Sequence, residues 1–425
     1  MCKRLLQLVC LLLIIALIPT AFFWVRALIH RGEPESFGPY AFDPASEFDL
    51  SLFSDTSLYL SEGDDTLNIM QIADPQLKLG FMTHDKKTMA LIDKAIRDQQ
   101  PDICVVTGDL TLSIFTYDAY RYFADFMEER EQYWTLTFGN HDSEFDCSKY
   151  ALATLLSEYE HCLFSPGPSN VKGVSNFPIN VYVGESDVPA YSLILMDSNM
   201  YPDGAEGDLA TWAYDWIGED QIAWYRWLVE GLKTVNPDIQ STLFCHIPVA
   251  EMAEMYYQNE LIGGRELPDG IDTSVFYDAS DVRGTVCEED KTSDVLVDEG
   301  YSIGIFYQGK NTGLYDAVRE LGSTRAMFFG HDHLNTLRGY YGGIYLGYGL
   351  CCGYHTYPYF ETANLLTDLF GLSDIPLYNG DNWVDEDGEK IKKGVNMIDI
   401  TVTKASTTPY GSIRVNDWFE SGSNG

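Results

Sequence analysis

PDICVVTGDL (101–110) and YWTLTFGNHD (133–142) bracket the stretch from Pro101 to Asp142, on which the reading of this chain turns. Each is a short apolar run that stops at a polar cluster. Ile103–Thr107 ends in Gly108-Asp109, and Tyr133–Phe138 ends in Gly139-Asn140-His141-Asp142. Apolar runs of this length read as buried strands. Two strands that both stop at Gly and a polar group predict loops meeting at the C-terminal edge of one sheet. The loops deliver a carboxylate, a carboxamide and an imidazole, a set that suits hard or borderline divalent cations together with a proton donor.

Working outward, three more apolar runs end the same way. Thr66–Ala73 leads to Asp74-Pro75-Gln76, Thr242–Cys245 leads to His246, and Arg325–Phe329 leads to Gly330-His331-Asp332-His333. One His after one strand is more often a satisfied structural residue than a ligand. Five such ends in one chain are a far stronger signal. Helical patterns lie between them at Asp85–Gln100, around Tyr117–Arg130, and at Lys149–Tyr159, Glu219–Val235 and Asn311–Leu321. Alternating strands and helices predict an α/β protein with a largely parallel sheet and right-handed crossovers. Asn180–Val183 and Tyr191–Met196 alternate like an antiparallel pair. The tail segments GGIYLGYGLCCGY, KKGVNMIDITVTK and GSIRVNDWF read as strands of a second sheet.

The 425 residues are 45% hydrophobic and carry a formal net charge of −37. The apolar content excludes a disordered chain. The charge argues against nucleic acid as a tightly held partner; for most of the carboxylates solubility is sufficient reason. Nine Cys without regular spacing are no disulfide framework; Cys147 and Cys162 are a possible pair that the sequence leaves open. Lys3 and Arg4 precede an uncharged stretch, Leu5–Val25, long enough to span a bilayer, with Phe22-Phe23-Trp24 suited to its interface. Residues 1–29 therefore read as a short tail and an uncleaved transmembrane anchor, with the acidic body extracytoplasmic. Secretion after signal cleavage is the runner-up reading. Residues 30–64 read as a stalk and 65–425 as the catalytic domain. Within it, the acidic region 250–310 reads equally as a lid over the site or a surface excursion.

The five strand-end blocks resemble the pattern of the calcineurin-like metallophosphoesterases over roughly residues 66–340. Gly108-Asp109, Gly139-Asn140-His141-Asp142, His246 and Gly330-His331-Asp332-His333 match it in full. The resemblance implies a four-layer α/β/β/α sandwich with two divalent metals between the loop ends. One metal would take Asp74, Gln76, Asp109 and His333; the other would take Asp109, Asn140, His246 and His331, with Asp109 bridging. It further implies hydrolysis of phosphate mono- or diesters by a hydroxide between the metals, with His141 as acid or charge stabiliser. Asp142 is a candidate to orient His141, and a local loop cap is an equal alternative.

The first block departs from the family pattern, because Gln76 stands where a His is usual. A carboxamide oxygen is a harder and weaker ligand than imidazole. Looser binding follows there, with Mn²⁺ favoured among Mn, Mg, Fe and Zn. Leu112 occupies the position where purple acid phosphatases carry an iron-binding Tyr, so no iron-tyrosinate is expected. EDQIAW (219–224) and the Gly347–Tyr354 segment resemble a purple-acid-phosphatase-like subgroup. The expected partners are a phosphorylated small molecule or protein and, through the N-terminal helix, the membrane. The alternative is a weak or inactive cell-surface binding protein on the same fold.

Overall fold

The structure, a computed structural model, describes residues 17–18, 21–22, 24–32, 38–79, 82–201, 214–258, 277–286, 295–297, 300–302, 310–356, 392–404 and 406–419. In chain order these form β1 (Ser57–Leu60), β2 (Thr66–Ile72), α1 (Met82–Gln99), β3 (Ile103–Thr107), α2 (Thr116–Glu128), β4 (Trp134–Thr137) and α3 (Lys149–Leu156). Next come β5 (Phe177–Val183), β6 (Tyr191–Leu195), α4 (Glu219–Val235), β7 (Gln240–Phe244), α5 (Glu251–Tyr257) and β8 (Ala279–Arg283). The chain continues through β9 (Val295–Val297), β10 (Gly300–Ser302), α6 (Leu314–Leu321), β11 (Thr324–Phe329), β12 (Arg338–Tyr341) and β13 (Ile344–Tyr348) to β14 (Gly394–Thr401) and β15 (Ile413–Phe419).

Two sheets make the body. The first is five-stranded in the order β15-β14-β2-β3-β4, and the second eight-stranded in the order β1-β5-β6-β7-β11-β13-β12-β8. Their central strands are parallel, β2 with β3 and β3 with β4 in one, β6 with β7 and β7 with β11 in the other. Side chains alternate across the second sheet, as the period of two in a strand requires. Leu193, Leu195, Ala326 and Phe328 face the core shared with Ile69 and Val105 of the first sheet. Ile194, Met196, Met327 and Phe329 face Trp224, Leu228, Tyr315 and Val318 of α4 and α6. Ile92 and Ile96 of α1, with Phe123 and Met127 of α2, join the first core. The layers thus run helices, sheet, sheet, helices.

The two sheets are tied directly below the convergent loops. The buried Gln71 amide donates to Thr107 Oγ1 at 3.2 Å and to the Phe329 carbonyl at 2.9 Å. Thr137 Oγ1 donates to the Met196 carbonyl at 2.8 Å. These bonds satisfy buried polar groups and set the distance between the strand ends.

Three expectations need correction. β14 and β15 do not build a second sheet: β14 pairs antiparallel with β2, and β15 extends the first sheet beyond it. Only β13, from the GGIYLGY segment, joins the other sheet, parallel to β11. Residues 30–64 are not a free stalk over 38–60. There β1 pairs parallel with β5, Trp224 Nε1 donates to the Tyr40 hydroxyl at 2.9 Å, and Phe48 packs edge-on to Trp227 at 5.2 Å. Finally, region 250–310 is not wholly a surface excursion. α5 is buried in the second core, and β8 pairs with β12 at the sheet edge.

The described cysteines Cys104, Cys147, Cys162, Cys245, Cys351 and Cys352 are free and buried, which leaves the pairing of Cys147 with Cys162 unmade. Most of the Leu5–Val25 stretch lies outside the described residues, among which no helix is long and apolar enough to cross a membrane. The helical segment at 24–29 lies against the body: Arg26 bridges Asp118 at 2.7 Å and Asp146 at 2.7 Å, and His30 stacks on Tyr117 with centroids 3.9 Å apart.

Candidate metal centre

Five strand ends from both sheets meet at one buried point. Asp74 follows β2, Asp109 follows β3, Asn140 follows β4, His246 follows β7, and His331 and His333 follow β11. Asp74, Asp109, Asn140 and His246 are each 1% exposed or less. The backbone there is unusual. Asp74, Gln76, Asp109 and His331 have φ of 51°, 43°, 50° and 74°. Left-handed backbone at a non-glycine residue costs on the order of 1 kcal/mol each, and such residues cluster where a site over-determines them. Glycine is required beside them. A Cβ on Gly139 would lie 2.2 Å from Asp109 Oδ1, and one on Gly108 2.5 Å from the His246 ring.

Two groups of donor atoms share Asp109. On one side, Asn140 Oδ1 lies 3.0 Å from His246 Nε2 and 3.0 Å from His331 Nδ1, and those two ring nitrogens are 3.3 Å apart. On the other side, His333 Nε2 lies 3.4 Å from Asp74 Oδ1 and 3.1 Å from the Gln76 amide nitrogen, which is 3.4 Å from Asp109 Oδ2. Rotating that amide by a half turn brings Oε1 to the same place. Asp109 Oδ2 is also 3.4 Å from His246 Nε2. Asp74, Asp109 and His246 offer ligand atoms all within 4.8 Å of one another. The structure therefore brings together all seven ligand candidates of the sequence.

The surroundings orient these groups. His246 Nδ1 meets the Thr107 carbonyl at 2.8 Å, which turns Nε2 towards Asp109 and Asn140. The His331 backbone N–H donates to Asp74. His141 donates its backbone N–H to Asp109 Oδ1 at 2.9 Å and holds ring Nε2 3.9 Å from Asp109 Oδ2. Asp142 does not face the His141 ring. Its oxygens accept from the backbone N–H of Gly139 at 2.7 Å, Asp109 at 2.9 Å and Thr111 at 3.3 Å. It caps both loops, the plainer of the two roles the sequence allowed, and it is not placed to orient the ring. The ring's Nδ1 is taken by Glu144 at 2.9 Å, a residue the sequence reading missed. Its one sequence signal is its position three residues after His141, inside an irregular loop.

The charges of these groups are tightly linked. Burial opposes charge on His246 and His141, but Asp109 beside both, and Glu144 beside His141, raise each to about 9. Burial likewise opposes the Asp109 charge, yet the two rings hold its carboxyl well below the usual range. Burial and the neighbouring His246 push His331 well below its ordinary value, and burial and Asp109 raise Asp142 to about 6. Two buried carboxylates ringed by imidazoles and a carboxamide need positive charge beside them. The donor set fits two divalent ions.

The calcineurin-like phosphoesterase family model matches residues 67–275. With the two-sheet fold, this match makes the chain similar to that family, in which a dinuclear metal centre is used. Its curated relatives are of the purple acid phosphatase kind. "Probable inactive purple acid phosphatase 28" of Arabidopsis thaliana is 24% identical over 69% of this chain and 72% of its own. "Phosphatase DCR2" of Saccharomyces cerevisiae is 27% identical over 45% of this chain and 36% of its own. Among solved structures, a dimetal phosphatase from Danio rerio is 12% identical, covers 68% of this chain and 88% of its own, and has a TM-score of 0.38.

Proposed function

We propose that the chain is a metal-dependent phosphohydrolase acting on phosphate mono- or diesters. The observation that carries this reading is the convergence of Asp74, Asp109 and His246 within 4.8 Å, ringed by Gln76, Asn140, His331 and His333. Asp74, Gln76, Asp109 and His333 would hold one ion; Asp109, Asn140, His246 and His331 would hold the other. Two such ions supply Lewis acidity, an activated water and charge neutralisation on phosphate oxygens. A carboxylate suits the shared position, because it offers two oxygens and a negative charge. His141, on the same loop as Asn140, faces the centre through Nε2 and is placed to give a proton to the leaving oxygen or stabilise charge there.

Phosphorylated small molecules or proteins suit the body better than nucleic acid, given its net charge of −37. Mn²⁺ is the favoured metal, because Gln76 replaces an imidazole. The apolar stretch Leu5–Val25 supports a membrane-anchored protein with an extracytoplasmic catalytic body. Gln76, together with relatives named as probably inactive, favours one second reading, a metal-binding surface protein with little turnover. Steady-state hydrolysis of p-nitrophenyl phosphate and its bis-ester separates the two. It is run with Mn²⁺, Mg²⁺, Ca²⁺, Zn²⁺ or no metal, with Asp109→Asn as control. Metal-dependent turnover lost in the variant supports the enzyme. Bound metal without turnover supports the second reading.

A further inference from the structure

Around His141 the structure holds a short relay that the metal ligands do not require. His141 Nδ1 lies 2.9 Å from Glu144 Oε2, and the other oxygen, Oε1, accepts from the Tyr201 hydroxyl at 2.6 Å. The Glu144 backbone N–H turns back to the His141 carbonyl at 3.4 Å, and Ser143 Oγ meets Met200 Sδ at 2.8 Å, so two loops hold the carboxylate between them. The relay is partly exposed. The His141 and Glu144 side chains are 26% and 20% exposed, and Tyr201 stacks with Tyr214 at 6.2 Å, which packs edge-on to His331 at 4.4 Å.

Resting on the phosphohydrolase reading, we propose that Glu144, held by Tyr201, is the positioning residue for His141, and that the pair serves substrates whose leaving group is an alkoxide. A carboxylate 2.9 Å from Nδ1 pairs with the ring by charge and leaves Nε2 as the atom facing the centre, as the distance of 3.9 Å to Asp109 Oδ2 shows. A water oxygen bonds to phosphorus as the bond from phosphorus to the ester oxygen breaks; the electron pair of the broken bond goes to the ester oxygen, and His141 Nε2 delivers the proton to it. The products are the alcohol and phosphate, and the proton given up by the attacking water returns, through solvent, to Nε2. An alkoxide is a poor leaving group and needs that proton, whereas nitrophenolate leaves without it. The relay therefore matters for alkyl phosphoesters, such as phosphorylated hydroxy amino acids, sugars or glycerol, far more than for aryl esters.

The test compares the full-length parent with Glu144→Ala, Glu144→Gln and Tyr201→Phe, using glycerol phosphate and p-nitrophenyl phosphate. General-acid catalysis contributes roughly 10²–10⁴-fold, so Glu144→Ala should lose about 10²-fold in kcat on the alkyl ester and far less on the aryl ester. Glu144→Gln keeps a polar oxygen beside Nδ1 without the charge and should recover part of the loss, and Tyr201→Phe should fall between parent and Glu144→Ala. A readout independent of turnover is the His141 ring ¹⁵N spectrum of the Mg²⁺-loaded chain, assigned against His141→Asn. It should show Nδ1 protonated in the parent and a changed tautomer balance in Glu144→Ala. Equal losses on both esters, or an unchanged ring spectrum, overturn the proposal. A parent that hydrolyses neither ester sinks the enzyme reading and the alkoxide assignment with it, and the ring spectrum then decides the positioning role alone.

Discussion

Glu251 opens α5, the helix that follows the His246 loop, and it is 5% exposed. Its Oε1 accepts from Asn311 Nδ2 at 2.8 Å, while Oε2 has no partner among the described residues. Burial, then the charge of nearby Glu254, raises its carboxyl from 4.5 to about 8. The sign follows from proton binding. Between those two values the folded chain holds a proton that the unfolded chain has lost, so stability is full below pH 4.5 and declines as pH rises to about 8. At 1.36 kcal/mol per pH unit the ceiling is about 5 kcal/mol, and relaxation around the charge brings the expected loss to about 2–5 kcal/mol. Glu251→Gln keeps the acceptor for Asn311 and removes the charge. Urea unfolding of parent and variant at pH 5 and pH 9 should give similar stabilities at pH 5. At pH 9 the variant should be the more stable by about 2–5 kcal/mol, about the free energy of leaving a buried charge uncompensated. A difference between the two proteins that does not change with pH refutes the reasoning.

Three further outcomes follow from the metal centre. Gly139→Ala places a Cβ 2.2 Å from Asp109 Oδ1 and 2.4 Å from the Asp109 nitrogen. It should destabilise the chain by about 1–3 kcal/mol and lower Mn²⁺ content, by urea melts and elemental analysis; parent-like metal content contradicts this. His246 stands at about 9 without metal and must lose its proton to ligate, so affinity should fall as pH drops below that value. Calorimetry in buffers of different ionisation enthalpy should show proton release on metal uptake, and a pH-independent affinity would be the contrary result. Gln76→His should tighten the first site and shift its preference from Mn²⁺ towards Zn²⁺. An unchanged Zn²⁺-to-Mn²⁺ affinity ratio means that Gln76 does not ligate.

The ligand candidates were legible because each is a local event. A strand stops, glycine allows a close approach or a left-handed turn, and a donor residue follows, as at Gly108-Asp109 and Gly139-Asn140. The α4 bounds were equally legible from its period, Glu219–Val235 in both readings. Non-local pairing was not legible. β14 carries the alternation of any strand, and only tertiary packing decides that it lies beside β2. The stretch after Gly38 has the Pro, Ser and acids of a linker, but Tyr40, Phe48 and Phe53 make it part of the second core. Side-chain direction was the other limit. Asp142 and Glu144 are both acids on the loop after His141, and only the fold shows that Asp142 turns to backbone N–H groups while Glu144 turns to the ring.

The central claim is that these seven side chains form one two-ion centre joined by Asp109. Mn²⁺ stoichiometry of the full-length chain after equilibrium dialysis, with and without Asp109→Asn, tests it most directly. The account predicts two ions per chain in the parent and loss of both tight sites in the variant, because each site counts Asp109 among its ligands. One ion or none in the parent, or two tightly held ions in a folded Asp109→Asn chain, would contradict it.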